Sequence, residues 1–165
     1  INKMIDLNIK ATTHVMNMFI PILKSNSPSR ILNVSSIISD IVAPYKSIYA
    51  ATKTYVRNMS LSLAYELKKQ GISVSVLLPG ATPTNQVVSS QIEQGAYAAR
   101  ATVMSANEVA RIAIDKTLKG KKIITTGTRH GLIRQLMLAL PYRLSALISN
   151  NQYEKQKNKD ESNRN

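Results

Sequence analysis

The pattern of apolar and polar positions predicts helices that alternate with short strands. Apolar residues recur at helical spacing in three long segments, 1–24, 45–70 and 129–149. Short apolar and β-branched runs, typical of buried strands, lie at 30–35, 72–78 and 122–126. Because strands that alternate with helices form parallel sheets with helices on both faces, we predict an α/β fold with a doubly wound parallel sheet.

Local signals define several ends of these elements. Gly71 follows the second long helix and is suited to a left-handed C-cap. Ser105 and Glu108 have the spacing of a capping box and predict a further helix up to about Lys119. The segment 81–104 has small and polar residues without a clear period, so we predict a mobile loop or short helices there.

The order of elements indicates that the chain is part of a larger fold. Three strands make a thin sheet, and the opening helix has no strand before it. We therefore expect one domain over 1–150, the C-terminal portion of a doubly wound fold whose N-terminal βαβ units are absent. Residues 151–165 are almost wholly polar, and we expect a disordered tail.

The net charge raises the question of a nucleic-acid partner. The chain has 165 residues, with 22 Lys and Arg against 9 Asp and Glu, and a net charge of +13. The basic residues are dispersed, and the sequence has no Trp and one Phe, so a basic surface with stacking aromatics is poorly supported. We expect no nucleic-acid partner and interpret the charge as a solvated surface.

Composition also restricts covalent and metal chemistry. There is no Cys, which excludes disulfides, thiolate metal sites and cysteine nucleophiles. The two histidines, His14 and His130, are far apart in sequence, and acidic residues are scarce, so we expect no metal site.

One set of polar residues has the spacing of a catalytic site. Tyr49 and Lys53 are four residues apart on the second long helix and therefore share a face. Ser36 lies just past the first strand, at the edge where open α/β sheets bind ligands. A free tyrosine has a pKa of about 10, and a nearby lysine cation lowers such a pKa. With a serine hydroxyl holding the substrate oxygen, the three groups suit proton transfer to a carbonyl or from an alcohol.

Four motifs in order resemble the short-chain dehydrogenase/reductase family. They are Asp6-Leu-Asn8, Asn33-Val-Ser-Ser36, Tyr49-Ala-Ala-Thr-Lys53 and Pro79-Gly-Ala-Thr-Pro-Thr84. The resemblance covers roughly residues 1–128. It implies a Rossmann-type sheet and hydride transfer between a nicotinamide cofactor and a carbonyl or alcohol substrate.

The resemblance also implies a role for each matched residue. Tyr49 would be the acid/base, Lys53 would assist it and bind the nicotinamide ribose, and Ser36 would orient the substrate oxygen. Asn8 would distort its helix around a water and complete a proton relay to Lys53. The expected cofactor-binding residues are Tyr49, Lys53, Pro79, Gly80, Thr82 and Thr84. The loop 81–104 would be the substrate lid, and the helices 105–119 and 129–149 would shape the substrate mouth.

The cofactor is expected to be NADP or NAD, and the basic surface favours NADP. The family's glycine-rich cofactor turn has no counterpart among the six glycines, so either this chain is a fragment of a full enzyme or the gene product is truncated. The alternative function is therefore that of a truncated, non-catalytic chain that acts by protein association or membrane-surface binding.

Further expectations concern partners and location. The substrate would be a small carbonyl or alcohol compound, with a lipid-like one as one hypothesis. The family's use of its two long helices in dimers and tetramers implies a homo-oligomer. The apolar stripe and arginines of 129–149 fit either a packing helix or an interfacial membrane helix. We expect a cytoplasmic protein, with peripheral membrane contact as the second hypothesis.

Overall fold

A computed structural model describes residues 1–84, 103–141, 143–144, 146–151 and 154. Its helices are α1 (Asn2–Ile5), α2 (Thr12–Ser25), α3 (Ser47–Glu66), α4 (Ala106–Leu118) and α5 (Thr128–Ala139). Its strands are β1 (Ser29–Val34), β2 (Ile72–Leu78) and β3 (Ile123–Thr125). A π-helical turn over Asp6–Ala11 joins α1 to α2, and 3₁₀ turns cover Ile37–Asp40 and Lys68–Gln70. The predicted alternation of helices and strands is confirmed.

The sheet is parallel and has the order β1-β2-β3. Val34 of β1 is paired with Leu77 of β2, and Leu78 of β2 is paired with Thr125 of β3. The carboxyl ends of the three strands therefore meet at one edge. Because Ser36 lies two residues after β1 and Pro79 directly follows β2, this register brings the predicted site loops to that edge.

Helices pack on both faces of the sheet, as the sequence predicts. On one face, Ile31, Ile72 and Val74 form an apolar cluster with α2 and α3. On the other face, a second cluster joins β2 and β3 to α4 and contains Leu77, Val109, Ala113 and Ile124. β1 and β2 each supply residues to both clusters, so these two strands are covered on both sides, whereas β3 contributes Ile124 to the second cluster.

The ends of the helices agree with the local signals in part. Gly71 has φ +74° and ψ +13°, the predicted left-handed conformation, but it ends the 3₁₀ turn Lys68–Gln70, whereas α3 itself ends at Glu66. Ser105 Oγ accepts a hydrogen bond from Glu108 N, and Glu108 Oε2 accepts one from Ser105 N, which confirms the capping box. The second long helix was predicted to begin at Tyr45, but α3 begins two residues later because Tyr45 itself takes a left-handed backbone conformation with φ +63°.

The C-terminal helix is divided at Pro141. Leu140 is extended, with ψ 143°, because the ring of a following proline disfavours the helical conformation. The described residues beyond Pro141, which are 143–144, 146–151 and 154, are helical again. Most of the predicted loop 81–104 and of the predicted tail lie outside the described residues, and the disordered tail stays a prediction. In the part of the chain that the structure describes, no helix is long and apolar enough to cross a membrane.

Candidate active site

Backbone hydrogen bonds hold the loops at the carboxyl edge of the sheet together. Ile37 N donates to Pro79 O over 3.1 Å, which connects the loop after β1 to the loop after β2. Gly80 N donates to Thr126 Oγ1 over 3.4 Å and connects the second loop to the end of β3. The three loops therefore form one continuous rim, on which the predicted substrate- and cofactor-binding segments are neighbours.

Tyr49 and Lys53 lie together on the face of α3 that meets this rim. The Tyr49 ring is half-buried and packs against Ile38, Ala43 and Ala50. The Lys53 Nζ atom lies 5.9 Å from the centre of the Tyr49 ring and donates to Val34 O over 3.3 Å. The structure thus brings the predicted acid/base and its predicted cationic partner to the end of β1.

Burial lowers the pKa of Lys53 below its usual range. The physical cause is loss of hydration, since a buried ammonium group is less stable than one in water. An ammonium group has three donors, and Lys53 directs one of them at Val34 O. The remaining donors can serve a ligand at the rim, where a bound hydroxyl group would restore part of the lost hydration.

The segment from Ser35 to Asp40 is fixed against α3. Ser35 Oγ donates to Lys53 O over 2.7 Å, and Thr54 Oγ1 donates to Ser39 O over 3.0 Å. Ser36 Oγ accepts a hydrogen bond from Ile38 N over 3.4 Å and is the N-cap of the 3₁₀ turn. Because Ser36 uses its oxygen as an acceptor here, its hydroxyl proton is available for donation to a substrate oxygen.

Asn8 lies within the π-helical turn Asp6–Ala11, so the opening helix is distorted at this residue. π-Helical turns often occur at functional sites. Asn8 Nδ2 donates to Thr52 Oγ1 over 3.0 Å, and Thr52 Oγ1 donates to Tyr49 O over 2.9 Å. Asn8 is therefore linked to the turn of α3 between Tyr49 and Lys53. Sequence reasoning missed Thr52, although it lies inside the Tyr49–Lys53 motif.

The four predicted cofactor-binding residues after β2 lie along the same rim. Pro79, Gly80 and Thr82 are half-buried, whereas Thr84, the last described residue before a gap, is exposed. Thr82 Oγ1 donates to Gly80 O over 3.3 Å, which fixes the turn after the strand. Their position next to the loop after β1 suits a ligand that lies across both loops.

Sequence reasoning also missed Asp40, at the end of the 3₁₀ turn. Its side chain is 2% exposed and contacts two arginines, Arg57 of α3 and Arg134 of α5. A signal for it exists in the sequence: Asp40 is one of nine acidic residues in a basic chain and lies in an otherwise apolar segment. An isolated acid in such a segment indicates a buried, paired carboxylate.

A parallel sheet covered by helices, with a tyrosine and a lysine one helical turn apart at its carboxyl edge, defines the class of this protein as a Rossmann-type α/β protein. The family model described as short chain dehydrogenase matches residues 1–95, more than half of the chain. The chain therefore belongs to the short-chain dehydrogenase family.

Curated relatives are similar over about half of this chain. An uncharacterized oxidoreductase of Staphylococcus saprophyticus is 35% identical over 81 residues, which are 49% of this chain and 35% of that protein. An uncharacterized oxidoreductase of Staphylococcus aureus is 34% identical over 83 residues, covering 50% of this chain and 36% of that protein. The alignments thus cover about a third of each relative's length.

Solved structures share the fold over a longer stretch. A short chain dehydrogenase from Burkholderia cenocepacia in complex with NADP has a TM-score of 0.68 at 24% identity, covering 81% of this chain and 54% of that one. A 3-ketoacyl-(acyl-carrier-protein) reductase from Brucella melitensis complexed with NADH has a TM-score of 0.62 at 22% identity, covering 78% and 57%. These identities show the fold alone, and the chain spans about half the length of these proteins.

Proposed function

We propose that this protein is an oxidoreductase that transfers a hydride between a nicotinamide cofactor and a carbonyl or alcohol substrate. The observation that carries the proposal is the half-buried pair of Tyr49 and Lys53 at the carboxyl edge of the sheet. This pair supplies a proton donor and a cation where parallel sheets bind their ligands. Membership of the short-chain dehydrogenase family supports the same reaction class.

Tyr49 is the proposed acid/base. In the reducing direction its hydroxyl gives a proton to the carbonyl oxygen, and in the oxidising direction the phenolate takes the proton of the alcohol. The Lys53 ammonium, 5.9 Å from the ring centre, stabilises the negative charge that the phenolate bears. Ser36, whose oxygen accepts from Ile38 N, donates its hydroxyl proton to the same substrate oxygen and orients it.

Asn8 is proposed to support this proton transfer through α3. Its bond to Thr52 fixes the turn of α3 that carries Tyr49 and Lys53. The π-helical turn over Asp6–Ala11 directs the Asn8 side chain at this turn. The proposed relay from Asn8 to Lys53 would need a bridging water, and this role stays a prediction.

The residues present suit the nicotinamide end of the cofactor. The half-buried Lys53 has donors beyond the one used by Val34 O, which suits the ribose hydroxyls. Pro79, Gly80 and Thr82 belong to the neighbouring loop after β2. When bound, the cofactor supplies or accepts the hydride. A glycine-rich turn for the pyrophosphate is not found in these 165 residues. The basic surface favours NADP over NAD.

The test is reduction of carbonyl compounds by the protein as its gene encodes it. Purified protein is mixed with NADPH, and separately with NADH, and with a panel of aldehydes and ketones that includes long-chain compounds. We expect cofactor oxidation that depends on the carbonyl compound. The proposal is wrong if the folded protein binds neither cofactor. It is also wrong if the protein binds a cofactor but reduces no compound of the panel.

A second candidate function, contact with an anionic membrane surface, is favoured by the exposed apolar side chains of the C-terminal helices. Leu132 and Leu136, one turn apart on α5, are 70% and 63% exposed. Residues 105–150 contain eight basic and two acidic residues, which complements an anionic bilayer.

Flotation with vesicles tests this second candidate. We expect the protein to float with vesicles of phosphatidylcholine and phosphatidylglycerol at low salt. The double variant Leu132→Ser/Leu136→Ser should bind several-fold more weakly, because burial of exposed leucines in the interface contributes to binding. Equal binding to pure phosphatidylcholine, or no binding of the unaltered protein, would contradict this candidate.

Two other expectations stay predictions. One is self-association through the two long helices, and the other is a cytoplasmic location.

A further inference from the structure

Asp40 is a buried carboxylate shared by three elements of the fold. It ends the 3₁₀ turn Ile37–Asp40, and its side chain is 2% exposed. Arg57 Nε of α3 lies 2.6 Å from Asp40 Oδ1, and Arg134 Nε of α5 lies 2.5 Å from Asp40 Oδ2. The two arginine side chains are 19% and 13% exposed, so all three charged groups are largely removed from water.

The two arginines contact the carboxylate in different ways. Arg134 Nε donates a hydrogen bond to Asp40 Oδ2. Arg57 Nε is close to Oδ1, but it does not have the geometry of a hydrogen bond and is an ion-pair contact only. Of the two arginines, Arg134 therefore forms a hydrogen bond with the carboxylate of Asp40, whereas Arg57 forms an ion pair.

The position of Asp40 relates it to the candidate active site. Asp40 follows Ser36 by four residues, and Ser36 is the N-cap of the four-residue 3₁₀ turn that Asp40 ends. Arg57 follows Lys53 by one helical turn, so Tyr49, Lys53 and Arg57 lie on one face of α3. The contact with Arg134, 94 residues from Asp40 along the chain, adds α5 to this arrangement.

We propose that Asp40 is a positioning residue that couples the docking of α5 to the conformation of the Ser36 loop. Loss of Arg134 deprives the buried Asp40 carboxylate of a charged hydrogen-bond donor, while Arg57 Nε remains an ion-pair contact without hydrogen-bond geometry. When α5 leaves, we therefore expect the 3₁₀ turn that carries Asp40 to shift so that the carboxylate gains new partners. Ser36, as the N-cap of that turn, shifts with it.

The coupling predicts that one substitution on α5 loosens a second, distant segment. We expect Arg134→Gln to raise amide hydrogen exchange about tenfold in α5 and, to a similar extent, in residues 36–41. Exchange in β2 should stay unchanged. The measurement is hydrogen exchange followed by mass spectrometry on the protein as its gene encodes it. Arg143→Gln, which alters an exposed arginine of the same C-terminal region, is the matched control and should leave both segments unchanged.

Several outcomes would overturn the coupling. If exchange rises in α5 alone, Arg134 merely anchors its own helix. If the control raises exchange at 36–41 as much as Arg134→Gln does, loss of positive charge is the cause. Should Arg134→Gln unfold the whole domain, Arg134→Lys replaces it, because lysine keeps the charge but forms a weaker contact. The coupling then requires a smaller rise in amide hydrogen exchange, which appears both in α5 and in residues 36–41.

A kinetic measurement examines what the coupling does for catalysis, and this step rests on the proposed function. We expect Arg134→Gln to lower kcat about tenfold and to weaken cofactor binding by a smaller factor, because the displaced turn carries Ser36 and touches the cofactor loop through the hydrogen bond from Ile37 N to Pro79 O. Partial recovery of kcat in Arg134→Lys would support positioning, and an unchanged kcat in Arg134→Gln would contradict it. Absence of turnover in the unaltered protein would refute the proposed function, whereas the exchange experiment still decides the coupling.

Discussion

Replacing Tyr49 with Phe is expected to lower kcat about 10³-fold on any carbonyl substrate that the protein reduces. The substitution removes a single hydroxyl group and keeps the ring, so packing against Ile38, Ala43 and Ala50 is retained. A loss of this size corresponds to about 4 kcal/mol of transition-state stabilisation. The proton donor is lost while the binding surface is kept, so the dissociation constant of the cofactor should change less than twofold.

Tyr55→Phe is the matched control for this experiment. Tyr55 is on the same helix, and its hydroxyl forms a hydrogen bond of 2.6 Å with Thr13 Oγ1, outside the proposed proton path. Its removal should change kcat less than twofold. Steady-state kinetics with the best substrate of the panel, together with a cofactor titration, measures both variants. If Tyr49→Phe retains more than a tenth of the unaltered kcat, Tyr49 is not the proton donor.

Replacing Asp40 with Asn is expected to lower the free energy of unfolding by about 3 kcal/mol. Asparagine has nearly the same shape, so the change chiefly removes the negative charge. Arg57 and Arg134 then lie on either side of a neutral group. Their side chains are 19% and 13% exposed, so water compensates little for the lost carboxylate. Breaking a buried ion pair by removal of one partner is costly because the remaining charges have lost their hydration without compensation.

Asp115→Asn provides the comparison with an exposed ion pair. Asp115 contacts Lys119 over 2.9 Å on α4, and their side chains are 55% and 66% exposed. Its removal should cost less than about 0.5 kcal/mol, since water screens such pairs. Urea unfolding of both variants, followed by circular dichroism, gives the two values. Similar losses in the two variants would show that burial does not strengthen the role of Asp40.

Local signals in the sequence predicted most of the elements, because their causes are local. The apolar run 72–78 becomes β2 with the same bounds, since β-branched and apolar residues favour a buried strand. Ser105 caps α4 through contacts that reach only three residues along the chain. The start of α3 was missed because Tyr45 has a left-handed backbone conformation with φ +63°, which the pattern of apolar residues does not indicate.

The candidate site was predictable in part, for a similar reason. Tyr49 and Lys53 share a helix, so their spacing alone places them on one face. Ser36 follows a strand, and the parallel register brings it to the same edge. The contacts of Asn8 with Thr52 and of Arg134 with Asp40 join residues 44 and 94 positions apart. Neither contact can be predicted from the periodicity of the sequence, since both depend on how the helices pack on the sheet.

The sequence by itself determined the class of fold and the chemical groups available to the site: an α/β chain with a serine after its first strand and a tyrosine and a lysine one turn apart on the next helix. The tertiary structure alone decided which distant groups support them. Burial of Lys53 lowers its pKa, and burial of Asp40 makes two arginines its necessary partners. Both effects arise from removal of charge from water, which depends on the surrounding packing and is therefore a property of the folded chain.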